Sequence, residues 1–195
     1  MIQPFVLVVE DALSEAVLCK MMATSSLAIE GVICTRGNDQ IRQGIAKFKN
    51  ASNVLPHVVL TDLDRYPCAP ALLEDWGATD LPPRLLFRIA VREVEAWLLA
   101  DREGVAHFLQ IPLTKLPLYP ELEGDPKQAL INLARKSRNK KLKSEIVPAA
   151  GSRVPIGPLY NPRMIEFARD HWDILRASEN SESLGRAMKR ISEFN

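Results

Sequence analysis

Four short apolar runs recur along the first half of the chain, with amphipathic stretches between them. "PFVLVVE" and "HVVLTD" are almost continuously apolar and β-branched, the pattern of strands covered on both faces. "LAIEGVICTRG" alternates well enough for another strand, and "RLLFRIA" supplies a fourth. Between the first two runs, "SEAVLCKMMA" places Ala16, Val17, Met21 and Met22 at helical spacing, with Ser14 where an N-cap is expected. "DQIRQGIAKFK" carries Ile41, Ile45 and Phe48 on one stripe, and "VREVEAWLLAD" has helical periodicity directly after the fourth run. Strand and helix therefore alternate, which predicts an α/β, Rossmann-like fold with a mostly parallel sheet flanked by helices.

Past Leu109 the texture changes. "QIPLTKLPLYPELEGDP" is proline-rich and reads as a connection. A helix is expected from Pro126, at a first helical turn, followed by the loop "VPAAGSRVPIGPLYNP" and helices over 163–172 and 183–194. The pattern divides into an α/β part, 1–112, expected to carry the chemistry, and a basic, mainly helical extension, 113–195, packed on it.

Composition narrows the class. The chain has 195 residues, 47% hydrophobic and 25% charged, which is ordinary for a globular protein. No apolar stretch approaches the roughly 20 residues that span a bilayer, and the N-terminus lacks the pattern of a signal peptide. A cytoplasmic protein with no membrane partner is expected, its thiols Cys19, Cys34 and Cys68 reduced. His57, His107 and His171 are not spaced like zinc ligands, and no Walker-type phosphate loop is present. Residues 1–125 hold 11 Lys+Arg against 17 Asp+Glu, net −6, while 126–195 hold 14 against 7, net +7, which together return the formal +1. The acidic part offers metal ligands and the basic part a surface for a polyanion.

Ligands of parallel α/β sheets bind outside the carboxyl ends of the strands. Asp62 and Asp64 stand at such an end, and a spacing of two in extended chain projects both to one side. Like charges held together there repel unless a cation lies between them, and carboxylate oxygens suit a hard divalent ion. A turn or a helix cap explains an isolated aspartate pair equally well. The first strand, however, also ends on acids, Glu10 and Asp11. On a helical wheel Glu95 falls inside the apolar arc of Val91, Val94, Leu98 and Leu99, Asp101 lies at its edge, and Glu93 is on the polar side. A carboxylate on a core-facing stripe needs a metal or a cation partner, for which Arg88 and Arg92 are the candidates. Downstream, Arg135, Lys136, Arg138, Lys140, Lys141 and Lys143 put six cations into nine residues. Such a run either tracks a nucleic-acid backbone through its phosphates or forms a solvated helix end.

A glutamate after the first strand and an aspartate–x–aspartate after a later one resemble the TOPRIM domain of topoisomerases, bacterial primases and OLD-family (overcoming lysogenization defect) nucleases. The segments "VVEDALSEAVL", "VVLTDLDR", "RIAVREVEAWLLAD" and "GPLYNPRMIEFARDHWD…SLGRAMKRI" resemble, over nearly the whole chain, a small TOPRIM-like family often encoded beside an AAA- or ABC-type ATPase and suspected of roles in phage defence. The resemblance implies a divalent-metal-dependent nuclease acting on DNA or RNA, with Mg²⁺ or Mn²⁺ as cofactor. It also implies an ATPase as partner and a homo-oligomer as one form of assembly; the alternative is a non-catalytic TOPRIM-fold subunit of an ATPase complex. Glu10, Asp62 and Asp64 would be the metal ligands, Glu10 alternatively an acid–base group, and Glu95 a further acid serving a second metal or orienting the others. Asp11, Ser14, Glu15, Arg92 and Asp101 are expected around them. The family's Val-Glu-Gly is here Val9-Glu10-Asp11, so either the turn is built without glycine or Asp11 adds a ligand.

Overall fold

The computed structural model describes residues 4–194. Four strands, β1 (Phe5–Val9), β2 (Ile29–Cys34), β3 (His57–Asp62) and β4 (Leu85–Ala90), form one parallel sheet in the order β2-β1-β3-β4. The fold is α/β, as the alternation predicts. β1 and β3 are the inner strands and read as nearly continuous apolar runs because helices cover both faces. The chain leaves β1 toward β2 and returns to place β3 on the other side of β1. The crevice between the carboxyl ends of β1 and β3 is therefore the topological switch point, where this architecture binds its ligands.

Helices α1 (Ala12–Thr24), α2 (Asn38–Ser52) and α3 (Ala69–Asp75) connect the strands. Ile41, Ile45 and Phe48 of α2 join Leu72 of α3 and Trp76 against Val8, Val59, Leu85 and Phe87 on one face. The other face carries a larger core, in which α1 meets α4 (Val94–Ala100), α5 (Arg102–Leu109), α6 (Pro126–Ala134), α7 (Lys140–Ile146), α8 (Tyr160–Glu166), α9 (Ile174–Asn180) and α10 (Glu182–Ser192). One continuous cluster runs from Phe5 to Ile191 through Trp97, Tyr160 and Phe167. No helix among the described residues is long and apolar enough to cross a membrane.

Several local expectations are corrected. The helix expected from "VREVEAWLLAD" begins only at Val94, with Val91–Glu93 in a bend after β4. The segment from Pro126 breaks into α6 and α7, because Asn139 turns out of helical geometry and its side chain accepts from Leu142 N–H at 3.1 Å. The helix expected over 163–172 starts at Tyr160 and passes into a π-helical turn over Phe167–His171. Sequence patterning missed α3, α5 and α9, each of eight residues or fewer and too short for a clear period.

Candidate metal and catalytic site

Glu10 is the first residue after β1, and its side chain reaches across to β3. Its Oε1 accepts from Asp62 N–H at 2.9 Å and from the Thr61 hydroxyl. Asp62 closes β3, and its Oδ1 accepts from Val94 N–H, at the start of α4, at 2.9 Å. Asp64 is not part of an extended run: its φ of 50° lies in the left-handed region, so the same-side argument for an extended chain does not apply. Its position is set instead by its N–H donating to Arg92 O at 2.9 Å and by Asn38 Nδ2 donating to its Oδ2 at 2.7 Å. Arg92 does not reach Glu95; its guanidinium donates to the carbonyls of Asp64 and Tyr66 at 3.1 and 3.0 Å and so fixes the turn that carries Asp64.

Glu95 is 2% exposed. Neither Arg88 nor Arg92 pairs with it; the cation is Lys127 of α6, Nζ 3.3 Å from Glu95 Oε1, with the Tyr160 hydroxyl donating to the same oxygen at 3.2 Å. Lys127 lies too far along the chain from Glu95 for any local spacing to join them. Glu93 is also corrected. The helix begins only at Val94, so the wheel misplaced Glu93, whose Oε2 accepts from Lys127 N–H at 3.2 Å. "EVE" thus delivers two acids to the site rather than one.

The electrostatics agree that these groups share one place. Burial holds Asp62 well above the usual carboxylate range, and Glu10, Glu95, Asp64 and Glu93 push it further up. Glu10 is raised by burial and by Asp64 and Asp11, against the two hydrogen bonds from Thr61 and Asp62. Burial raises Glu93 and Glu95, with Lys127 opposing in each case. Burial lowers Lys127, but Glu95 and Glu93 outweigh it and hold the ammonium above its ordinary value.

Other expected neighbours have different jobs. Asp11 is the N-cap of α1, accepting from Ser14 N–H at 2.8 Å, so Ser14 is not the cap but a buried first-turn residue. The backbone of Asp11 is extended, φ −149°, which is why the turn needs no glycine. Glu15 lies in the first turn of α1. Asp101, fully buried, accepts from Gly104 N–H at 3.0 Å, Asp173 N–H at 2.8 Å and Arg176 Nε at 2.6 Å, tying α5 to the start of α9. Gly104 is required there, since a Cβ would stand 2.1 Å from the Asp101 carboxylate. Asp101 is a structural acid.

Arg135, Lys136, Arg138, Lys140, Lys141 and Lys143 are all exposed, over the end of α6, the following turn and α7. Arg135 and Lys136 sit at the carboxyl end of α6, where the helix dipole favours cations. Lys140 and Lys141 open α7, at the positive end, so the dipole does not explain them.

Among the described residues no three Asp, Glu, His or Cys side chains already stand in a metal-ligating arrangement. The donor set nonetheless fits a hard divalent ion: the acids are oxygen donors, their mutual repulsion is relieved by positive charge, and one oxygen each of Glu10, Asp62 and Asp64 accepts no hydrogen bond among the described residues.

Comparison with protein families gives no match, and comparison with curated proteins gives none either. Among solved structures the chain is similar to the C-terminal region of the Burkholderia pseudomallei OLD protein, at 14% identity and a TM-score of 0.45, over 99% of this chain and 98% of that one.

Proposed function

We propose that the chain is a divalent-metal-dependent phosphodiester hydrolase acting on nucleic acid. The observation that carries this reading is the convergence of Glu10, Asp62, Asp64, Glu93 and Glu95 at the switch point of the sheet, where burial and like charge raise Glu10, Asp62, Glu93 and Glu95 and Lys127 answers them.

In this reading Asp62 and Asp64 would hold Mg²⁺ or Mn²⁺. A divalent ion in that place neutralises phosphate charge and acidifies water. Glu10, whose raised affinity for protons suits a base, would take the proton from the attacking water on its oxygen that accepts no hydrogen bond among the described residues. Val94 N–H and Thr61 fix the rotamers of Asp62 and Glu10, so these carboxylates do not reorganise as the reaction proceeds. Lys127, anchored by Glu95, presents an ammonium to a phosphate oxygen. The exposed cations of α6 and α7 hold the backbone without reading bases, so the reading does not choose between DNA and RNA.

The test is incubation of the purified chain with supercoiled plasmid, single-stranded DNA and RNA, each with EDTA, Mg²⁺ or Mn²⁺, beside Asp62→Ala and Asp64→Ala variants. Cleavage that requires metal and is lost in both variants is expected. Undiminished cleavage by Asp62→Ala, or cleavage in EDTA, overturns the assignment.

A further inference from the structure

The sheet has an open edge at β4 that the proposed chemistry does not use. Arg84 and Ala90 direct their carbonyls at β3, to His57 and Leu63 N–H at 2.9 and 2.8 Å. In the alternation of a parallel ladder, Leu85, Phe87, Ile89 and Val91 therefore direct their N–H and C=O outward. The two ends of this row are closed: Leu85 N–H donates to Pro82 O at 3.0 Å and Val91 N–H to Ser183 Oγ at 3.4 Å. Between them, the outward groups of Phe87 and Ile89 have no partner among the described residues. They line a cavity of about 330 Å³ between α3 and α10, to which Leu73 adds an apolar wall.

The same cavity holds a cation that has no ion pair among the described residues. Arg88 lines it, and its Nε is buried with no hydrogen-bond partner among the described residues. Burial and the neighbouring Arg190 both press against its charge. Neither acid that lines the cavity pairs with Arg88 among the described residues. Glu121 Oε1 accepts from Ser181 Oγ, Ser183 N–H and Ser183 Oγ, and Glu182 pairs with Arg186. A buried guanidinium N–H left without an acceptor is costly, and a carboxylate entering the cavity satisfies it.

We propose that the outer edge of β4 is a docking strand for an extended segment of a partner protein, which pairs with the backbone of Phe87–Ile89 and places an aspartate or glutamate against Arg88. Strand addition supplies the backbone bonds, and the cavity selects an apolar side chain beside the acidic one. The occupant is peptide rather than a small anion because a free anion leaves the Phe87 and Ile89 groups unpaired.

The test is selection from a displayed library of random short peptides on the intact chain, counter-selected on an Ile89→Pro variant. Proline at 89 removes an outward N–H and no β3–β4 bond, so the sheet survives; an unchanged melting curve confirms this. Enriched peptides are expected to carry an acid at one fixed position among β-branched residues. By fluorescence anisotropy they should lose roughly tenfold or more in affinity on Arg88→Met, or when their own acid is made an amide. Lack of enrichment over the Ile89→Pro bait, or enriched peptides with no acid, overturns the proposal. So does free glutamate competing as well as the peptide, which assigns an anion pocket only. Light scattering that shows a dimer dissolved by Ile89→Pro assigns the edge to a second copy instead.

Discussion

Replacing Tyr160 by phenylalanine removes one hydroxyl and little volume, which makes it a clean probe of the buried Glu95. Tyr160 is fully buried, Glu95 is 2% exposed, and the bond between them spans 3.2 Å. A hydrogen bond to an ionised acceptor contributes about 1.5–3 kcal/mol, against about 0.5–1.5 kcal/mol for a neutral one. The 3.2 Å separation and the ammonium of Lys127 on the same oxygen put this bond at the low end of that range. Tyr160→Phe is therefore expected to cost about 1.5 kcal/mol at a pH where Glu95 is ionised, and about 0.5–1 kcal/mol at a lower pH where it is protonated, a transition that burial moves up from the ordinary carboxylate range. Urea unfolding in EDTA at both pH values measures this, together with Glu95→Gln and the double variant. A coupling energy of about 1 kcal/mol between the two positions, larger at the higher pH, is expected. A coupling indistinguishable from zero at both pH values refutes the account of Glu95 as a charge held by Tyr160.

The pH dependence of the metal-free chain follows from the direction of four shifts. Glu10, Asp62, Glu93 and Glu95 all bind protons more tightly folded than unfolded, so stability falls as pH climbs out of the ordinary carboxylate range and through the raised values. A melting temperature that rises with pH over that window contradicts it. Mg²⁺ or Mn²⁺ at about 100 times its dissociation constant should add about 2.7 kcal/mol, and Asp62→Asn should both abolish that gain and raise the metal-free melting temperature near neutral pH. Asp101→Ala deprives Gly104 and Asp173 N–H and Arg176 of their acceptor and should cost about 2–4 kcal/mol by chemical denaturation, while the folded fraction binds metal as the unaltered chain does. Reversing Lys140 and Lys143 to glutamate should weaken binding to labelled single-stranded DNA and flatten its dependence on salt, with no change in melting temperature.

What the sequence made legible was the part fixed by local rules. "FVLVV" and "HVVLTD" are buried on both faces and could hardly be anything but inner strands, and each delivered its acid to the expected end. The misreadings share one cause, which is that a partner distant in the chain settles the outcome. A helical wheel cannot know that the helix begins at Val94, so it placed Glu93 in solvent. Nor can spacing join Glu95 to Lys127 and Tyr160, which meet it only because α6 and α8 pack over α4. Asp101 showed the converse. Its position on the core-facing arc was read correctly, but its three donors make it a cap and a tie rather than part of the chemistry. Asp11, where the resemblance led one to expect glycine, has an extended backbone and caps α1.

Because the groups that hold Glu95 are made after it, the order of synthesis matters. Glu10, Asp62, Asp64 and Glu95 emerge from a ribosome well before Lys127 and Tyr160, and Phe5 waits for Ile191 to complete the core they share. An incomplete chain carries the acids as a repelling group with no ammonium or hydroxyl to settle Glu95, beneath a sheet face still open to water. The acidic centre is thus completed only after α6 and α8 have been made.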